Sequence, residues 1–481
     1  MSLRLKALSS VRWVASATGS NVAGRFLVTL AAAHTLPVAD LGLYAIVNLV
    51  LGFAYLFADA GLTQSIVSRQ DADPDQLSSL YWCNLLFGAI VCVAVCLAAP
   101  AAAGFYQQPR LLGMLLLTSA AFAINPFGQV SRALLQKHLR FDAIGRAEIL
   151  ATLASTAFAV TLLYGGGGVY ALIWSQLLAT ALRSASLGIS GRGLLRARFR
   201  LRFGEIRFFL QFGLFQMADR VVNYLYMRLD QFLIASLLGP QALGFYAMAW
   251  TLIVEPVYRI NPIITSVAFP IFAQQQHDRR VLRRGYLLVV RLLATINAPL
   301  LLGFAAIAPT AIPFILGERW TPAVPLVEIL SVVALVRTVV NPVGSLVLAV
   351  GRADLSFYAS LTQFLVQVPI YAGFLAWGGL IPATLFLCAA NIAAVPIFFL
   401  YLMRRTIELR FADYLAAFLP SIALAAVMAL AVRLLSMTAF GSHVALLAAQ
   451  LLLGALLYGG LVLLFRRDDA GEFARLVLRR P

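Results

Sequence analysis

Apolar runs follow one another along almost the whole chain, broken by short clusters of charged residues or of Gly and Pro. A helix that crosses the hydrocarbon core of a bilayer needs roughly 20 apolar residues. The runs predict spans at 11–34, 41–66, 80–104, 111–131, 146–164, 168–190, 207–236, 241–272, 284–310, 324–349, 355–377, 379–403, 411–434 and 443–465. The connections are short, the longest covering 191–206. The pattern therefore predicts an all-α, polytopic membrane protein of about fourteen transmembrane helices, with no extramembrane domain.

Composition agrees with that pattern. Of 481 residues, 61% are hydrophobic and only 12% charged, against about 25% charged in soluble domains. The 34 Gly and 20 Pro would break helices in water, but a bilayer tolerates them because neighbouring helices satisfy the freed backbone groups.

A net charge of +17 would suit a nucleic-acid partner only if the cations formed a patch on a soluble face. Their placement says otherwise. With the N-terminus in the cytoplasm and the spans alternating, nearly all Lys and Arg fall in cytoplasmic segments, most densely between Arg183 and Arg207. Only Arg110, Arg319 and Arg433 fall on the opposite side, and Arg25, Arg220, Arg228, Arg259, Arg291 and Arg337 lie within spans. The positive-inside rule then orients both termini to the cytoplasm. The charge is a topology signal, which removes nucleic acid as a partner. The start of the chain leads into a long span containing Arg25, unlike the short apolar core of a cleavable signal, and reads as an uncleaved first helix.

The chain also repeats itself. Leu41-Gly42-Leu43-Tyr44-Ala45 and Leu243-Gly244-Phe245-Tyr246-Ala247 each open the second span of a half, some fifteen residues after an arginine, Arg25 or Arg228. Six spans separate the copies, so the halves share one orientation, an architecture of transporters. The expected organisation is a six-helix lobe over 1–190, a cytoplasmic linker over 191–206, a second six-helix lobe over 207–403, and two extra helices with a cytoplasmic tail over 404–481.

Ionisable residues inside the bilayer are costly and point to function. Advancing about 100° per residue along the seventh span brings Gln216, Asp219, Arg220, Asn223 and Asp230 onto one polar stripe, which must face a cavity or another helix rather than lipid. Two readings compete for the span arginines. In one, carboxylates neutralise them: Glu255 beside Arg259, and Asp219 or Asp230 beside Arg220 or Arg228. In the other, Arg25, Arg220 and Arg337, with Arg291 and Arg259, line a cationic cavity, since guanidinium forks match phosphate oxygens and keep their charge where water is scarce. Six deep arginines against Asp219, Asp230 and Glu255 leave an excess of positive charge. Tyr224, Tyr226, Tyr246, Trp250 and Tyr258 add an aromatic surface suited to sugars, although interfacial belts also use such residues. Pro256, Pro262 and Pro270 punctuate the eighth span and predict bends.

Other chemistry finds no support. Cys83, Cys92, Cys96 and Cys388 lie in apolar runs without a nearby histidine and read as core residues, not metal ligands. The only lysines, Lys6 and Lys137, stand in no P-loop motif, so no cofactor or ATP site is expected.

The string from Asp230 through Gly239-Pro240, Leu243-Gly244 and Tyr246 resembles a signature of bacterial polysaccharide-exporting flippases, the Wzx type, in the multidrug/oligosaccharidyl-lipid/polysaccharide superfamily. Asp40-Leu41-Gly42-Leu43-Tyr44, Phe141-Asp142, Gly317-Glu318-Arg319-Trp320 and Gly351-Arg352-Ala353-Asp354 are similar to further family segments. The resemblance implies a non-enzymatic protein of the bacterial inner membrane that moves an undecaprenyl-pyrophosphate-linked oligosaccharide between leaflets. Its implied pathway partners are a polysaccharide polymerase and glycosyltransferases. A lipid II flippase and a cation-coupled drug antiporter of the same superfamily are the alternatives. A membrane polymerase or ligase would need a sizeable outer loop, which the chain lacks.

Overall fold

The computed structural model describes residues 3–58, 66, 73–194, 221, 224–225, 227–274, 278–350, 353–399, 403–437 and 442–465, all in helices and short connections with no strand among them. Two compact units result, Met1–Gly244 and Phe245–Pro481. Among the described residues eight helices are long and apolar enough to cross a bilayer, or nine when one bent pair counts as a single span. The helices follow the order of the predicted spans, apart from the seventh, which lies largely outside the described residues.

The first unit contains α1 (Leu3–Thr35), α2 (Val38–Ala58), α3 (Pro74–Phe105), α4 (Arg110–Ile124), α5 (Pro126–Lys137), α6 (Phe141–Tyr164) and α7 (Tyr170–Gly191), followed by a helical stretch over 227–237. α6 packs against α1 and α7, and α3 against α4. Ala31, Ala32 and Leu36 meet Leu163, Ala171 and Leu172 in one apolar cluster. The alanines among them let helix backbones approach closely, which favours packing where lipid is as apolar as the side chains.

The predicted fourth span is not straight. It breaks at Asn125 into α4 and α5, bent by 42°. Pro126 cannot donate to the carbonyl of Phe122, and its ring crowds that oxygen. α3 closes over the break through Gly88, where a Cβ would stand only 2.5 Å from the Phe122 carbonyl oxygen. The two glycines of the repeated motif meet in the same unit. A Cβ on Gly42 would collide with the backbone of Pro240, and one on Gly244 with the backbone of Val38. Each glycine thus faces the residue four positions before the other. The sequence repeat is a reciprocal contact in space.

The second unit contains the rest of α8 (Gly239–Gln274), then α9 (Arg279–Leu316), a single 3₁₀ turn (Glu318–Ala323), α10 (Val324–Val340), α11 (Pro342–Ala349), α12 (Ala353–Gly378), α13 (Leu380–Phe398), α14 (Arg404–Ile407), α15 (Phe411–Leu435) and α16 (His443–Phe465). α9 is its centre and packs against α10 and α15. The Asp278 carboxylate caps α9 by accepting from the N–H groups of Arg280 and Val281. The helix is thereby started just where its basic first turn meets water. α8 runs unbroken through Pro256, Pro262 and Pro270. The tenth span is interrupted by one residue at Asn341 but still runs as a single span, Glu318–Val347, unlike the bent fourth.

Polar side chains tie these helices together. Asn297 donates to Asn261 at 3.2 Å, and Thr295 and Ser421 share a hydrogen bond of 2.9 Å. The Tyr458 hydroxyl on α16 donates to the Thr295 carbonyl. Hydrogen bonds of this kind take the place of hydrophobic burial in holding transmembrane helices to one another. Outward surfaces are apolar, with Trp377 96% and Leu456 75% exposed, as a lipid solvent requires.

Candidate functional site

The most fully built arrangement around a span arginine lies in the second unit. Arg337, near the end of α10, is half-buried. Its guanidinium carbon stands 5.5 Å from the ring centre of Trp250, within cation–π range. One terminal nitrogen, Nη1, donates to the Tyr258 hydroxyl at 3.1 Å, and Nε donates to Asn391 Oδ1 at 3.3 Å. Asn391 is buried and anchored by its own amide N–H, which donates to the Leu387 carbonyl. That anchor turns its carbonyl oxygen to the arginine.

Sequence spacing explains the set. Tyr246, Trp250 and Tyr258 recur at four and eight residues on α8, one stripe of a helix. Their rings follow one another at 6.0 and 6.4 Å between centres. Trp250, Tyr258 and Asn391 carry no compensating charge. They orient the guanidinium, whose fork of N–H donors is fitted to an oxyanion.

The first unit has its own cationic track. Arg25 projects from an exposed position on α1, and its charge reaches the Tyr44 hydroxyl, which donates to Gln176 Oε1 at 3.2 Å. Tyr44 belongs to the repeated motif, as does Tyr246. Each motif tyrosine therefore stands beside an arginine site, Tyr246 through its contact with Trp250. Farther along, Glu148 on α6 bridges Arg132 of α5 at 3.1 Å and Arg183 of α7 at 2.8 Å. The charge of Arg183 also acts on Tyr55 of α2. The sequence pattern placed Arg132 and Arg183 with the loop cations and Glu148 at a span end. What it missed was their convergence across three helices.

Arg291 is half-buried in α9, Glu255 half-buried and Arg259 exposed on α8. Arg228 donates to Gln231 Oε1 at 3.1 Å, and Asp230 accepts from the backbone N–H of Gln231. Gln216, Asp219, Arg220 and Asn223 lie outside the described residues. Elsewhere Asp40 holds Arg110 at 2.7 Å, and Glu328 holds Arg433 at 2.9 Å. Arg110 and Arg433 thus fasten helices.

Residues 33–325 match the model of a family described as "Polysaccharide biosynthesis protein". The lipopolysaccharide biosynthesis protein WzxC of Escherichia coli (strain K12) is 32% identical over 369 residues, covering 77% of this chain and 75% of that protein. The chain belongs to the polysaccharide biosynthesis protein family. The teichuronic acid biosynthesis protein TuaB of Bacillus subtilis (strain 168) is 35% identical over 64% of this chain, and the match spans 63% of TuaB, just under two thirds. Among solved structures, the lipid II flippase MurJ in an inward closed conformation superposes with a TM-score of 0.75 at 15% identity, covering 95% of this chain and 99% of MurJ. At that identity the likeness shows the fold. Family and apolar helices together make this polysaccharide biosynthesis protein a multi-pass membrane protein with a MurJ-like fold.

Proposed function

We propose that the protein moves an undecaprenyl-pyrophosphate-linked oligosaccharide repeat unit from the inner to the outer leaflet of the bacterial cytoplasmic membrane by alternating access. Both termini face the cytoplasm in this reading, and the repeat unit feeds polysaccharide assembly beyond the membrane. The observation that carries the reading is Arg337, oriented by Trp250, Tyr258 and Asn391 through contacts that leave its charge in place. Guanidinium forks recognise phosphate oxygens in two-point contacts, and the aromatic stripe on α8 offers sugar rings a flat apolar face. Arg25, Arg220, Arg259 and Arg291 are the further span arginines that the sequence offers for phosphate contact. The polar stripe of Gln216, Asp219, Asn223 and Asp230, with Glu255, is the place for any coupling ion.

The biosynthetic roles in the names of WzxC and TuaB support a polysaccharide precursor as cargo. A pump for cationic drugs would favour deep carboxylates over deep arginines, the reverse of this sequence. In a strain lacking its own exporter, Arg337→Ala is expected to abolish surface polysaccharide while membrane levels of the protein stay normal. Full export by that variant would refute the role given to Arg337.

A further inference from the structure

A second basic cluster, apart from Arg337 and built within the first unit, has the makings of a ligand site. Glu148 lies seven residues into α6, and Arg183 eight residues before the end of α7. At 1.5 Å per residue, each is about two turns inside its helix. The carboxylate uses both oxygens: Oε1 meets Arg132, and Oε2 accepts from Arg183 Nε. It sits at the back, its side chain 12% exposed, while those of Arg132 and Arg183 are 45% and 29% exposed.

Neutralising one carboxylate takes one cation, so the triad keeps a net positive charge. Among the described residues, Glu148 is the one hydrogen-bonding or ion-pair partner of either arginine. The terminal nitrogens of Arg183, and Nε and Nη2 of Arg132, are therefore left with donors to spend.

We infer that Arg132, Glu148 and Arg183 form a transit site for a diphosphate, one guanidinium engaging each phosphate. Both phosphate-linked lipid and free inorganic diphosphate carry the chemistry it would recognise. Glu148 has two effects there. It fixes both forks in position, and it cancels half their charge, so the diphosphate is held loosely enough to leave. The identity of the lipid portion rests on the transport reading above; the diphosphate site does not.

The test uses the full-length protein in lipid nanodiscs. Inorganic pyrophosphate is titrated by calorimetry, undecaprenyl pyrophosphate is followed by native mass spectrometry, and melting is recorded for every variant. Arg132→Gln with Arg183→Gln is expected to weaken binding of both probes by roughly tenfold or more, the scale of lost charge-assisted hydrogen bonds. Glu148→Gln is expected to bind both more tightly than wild type and to slow export. A structural clip predicts the opposite for that variant: a lower melting temperature and no gain in affinity. If the double Gln variant fails to fold, Arg132→Lys with Arg183→Lys keeps the charge without the forks and should still bind severalfold more weakly. A folded double variant of either kind with wild-type affinity for both probes would overturn the site. Loss of inorganic pyrophosphate binding in the double variant, with lipid binding unaffected throughout, would support the site and contradict the lipid-linked reading.

Discussion

Arg337 shows how much a single position in the sequence can say and where it stops. A charged residue inside a twenty-residue apolar run announces itself, because hydrocarbon makes it expensive. Its partners do not. Tyr258 and Asn391 lie 79 and 54 residues away in sequence, and no spacing rule links them to Arg337. Replacing Asn391 by Leu should leave a guanidinium N–H without its acceptor and cost about 1.5–3 kcal/mol of site organisation. The expected reading is an export defect approaching that of Arg337→Ala at normal protein level; unimpaired export would show that Asn391 does not position the arginine. The Arg132–Glu148–Arg183 triad was harder to see, since Arg132 and Arg183 lie near loops already rich in arginine. A basic skirt hides any individual cation that does more than set topology.

At the level of elements, the runs of apolar residues marked where helices lie better than how they bend. Three prolines punctuate the eighth span, and α8 stays helical through all three, whereas the helix is interrupted at Asn125-Pro126, with a 42° bend, and at Asn341-Pro342 within a single span. Both breaks open the same short string, Asn-Pro-x-Gly, at the corresponding span of each half. A proline deletes one backbone donor wherever it sits; neighbouring packing decides whether the helix bends there. At the first break that neighbour is Gly88. Gly88→Val should force α3 away from the Phe122 carbonyl and destabilise the first unit by about 1–3 kcal/mol, visible as a lower melting temperature in detergent. Gly42→Ala and Gly244→Ala should each disturb the reciprocal motif contact and impair export, because the atoms opposite are backbone and cannot rotate aside. Wild-type melting and export in both would mean that the contact is dispensable. The sequence showed the repeat; only three dimensions showed that its two copies touch.

For the molecule as a whole, the solvent is the organising fact. Large apolar side chains face outward, polar groups join helices inside, and cations collect at the loops that positive-inside orientation assigns to the cytoplasm. Accessibility labelling of cysteines introduced near each terminus should find both on the cytoplasmic side; an outward N-terminus would invert the orientation from which transport is argued. All-α, polytopic architecture was legible from hydropathy because every backbone group in lipid must be satisfied within a helix. Family membership was legible from loop motifs spread between Asp40 and Asp354. The substrate was not, because arginine recognises any phosphate and the sugar beyond it leaves no mark in a hydrophobic pattern. The most direct measurement is therefore transfer itself: purified protein in sealed proteoliposomes, loaded on one side with undecaprenyl-pyrophosphate-linked oligosaccharide and probed on the other. Wild type should deliver the glycan across the bilayer and Arg337→Ala should not. Transport of cationic drugs with no movement of the lipid-linked glycan would contradict the proposed function.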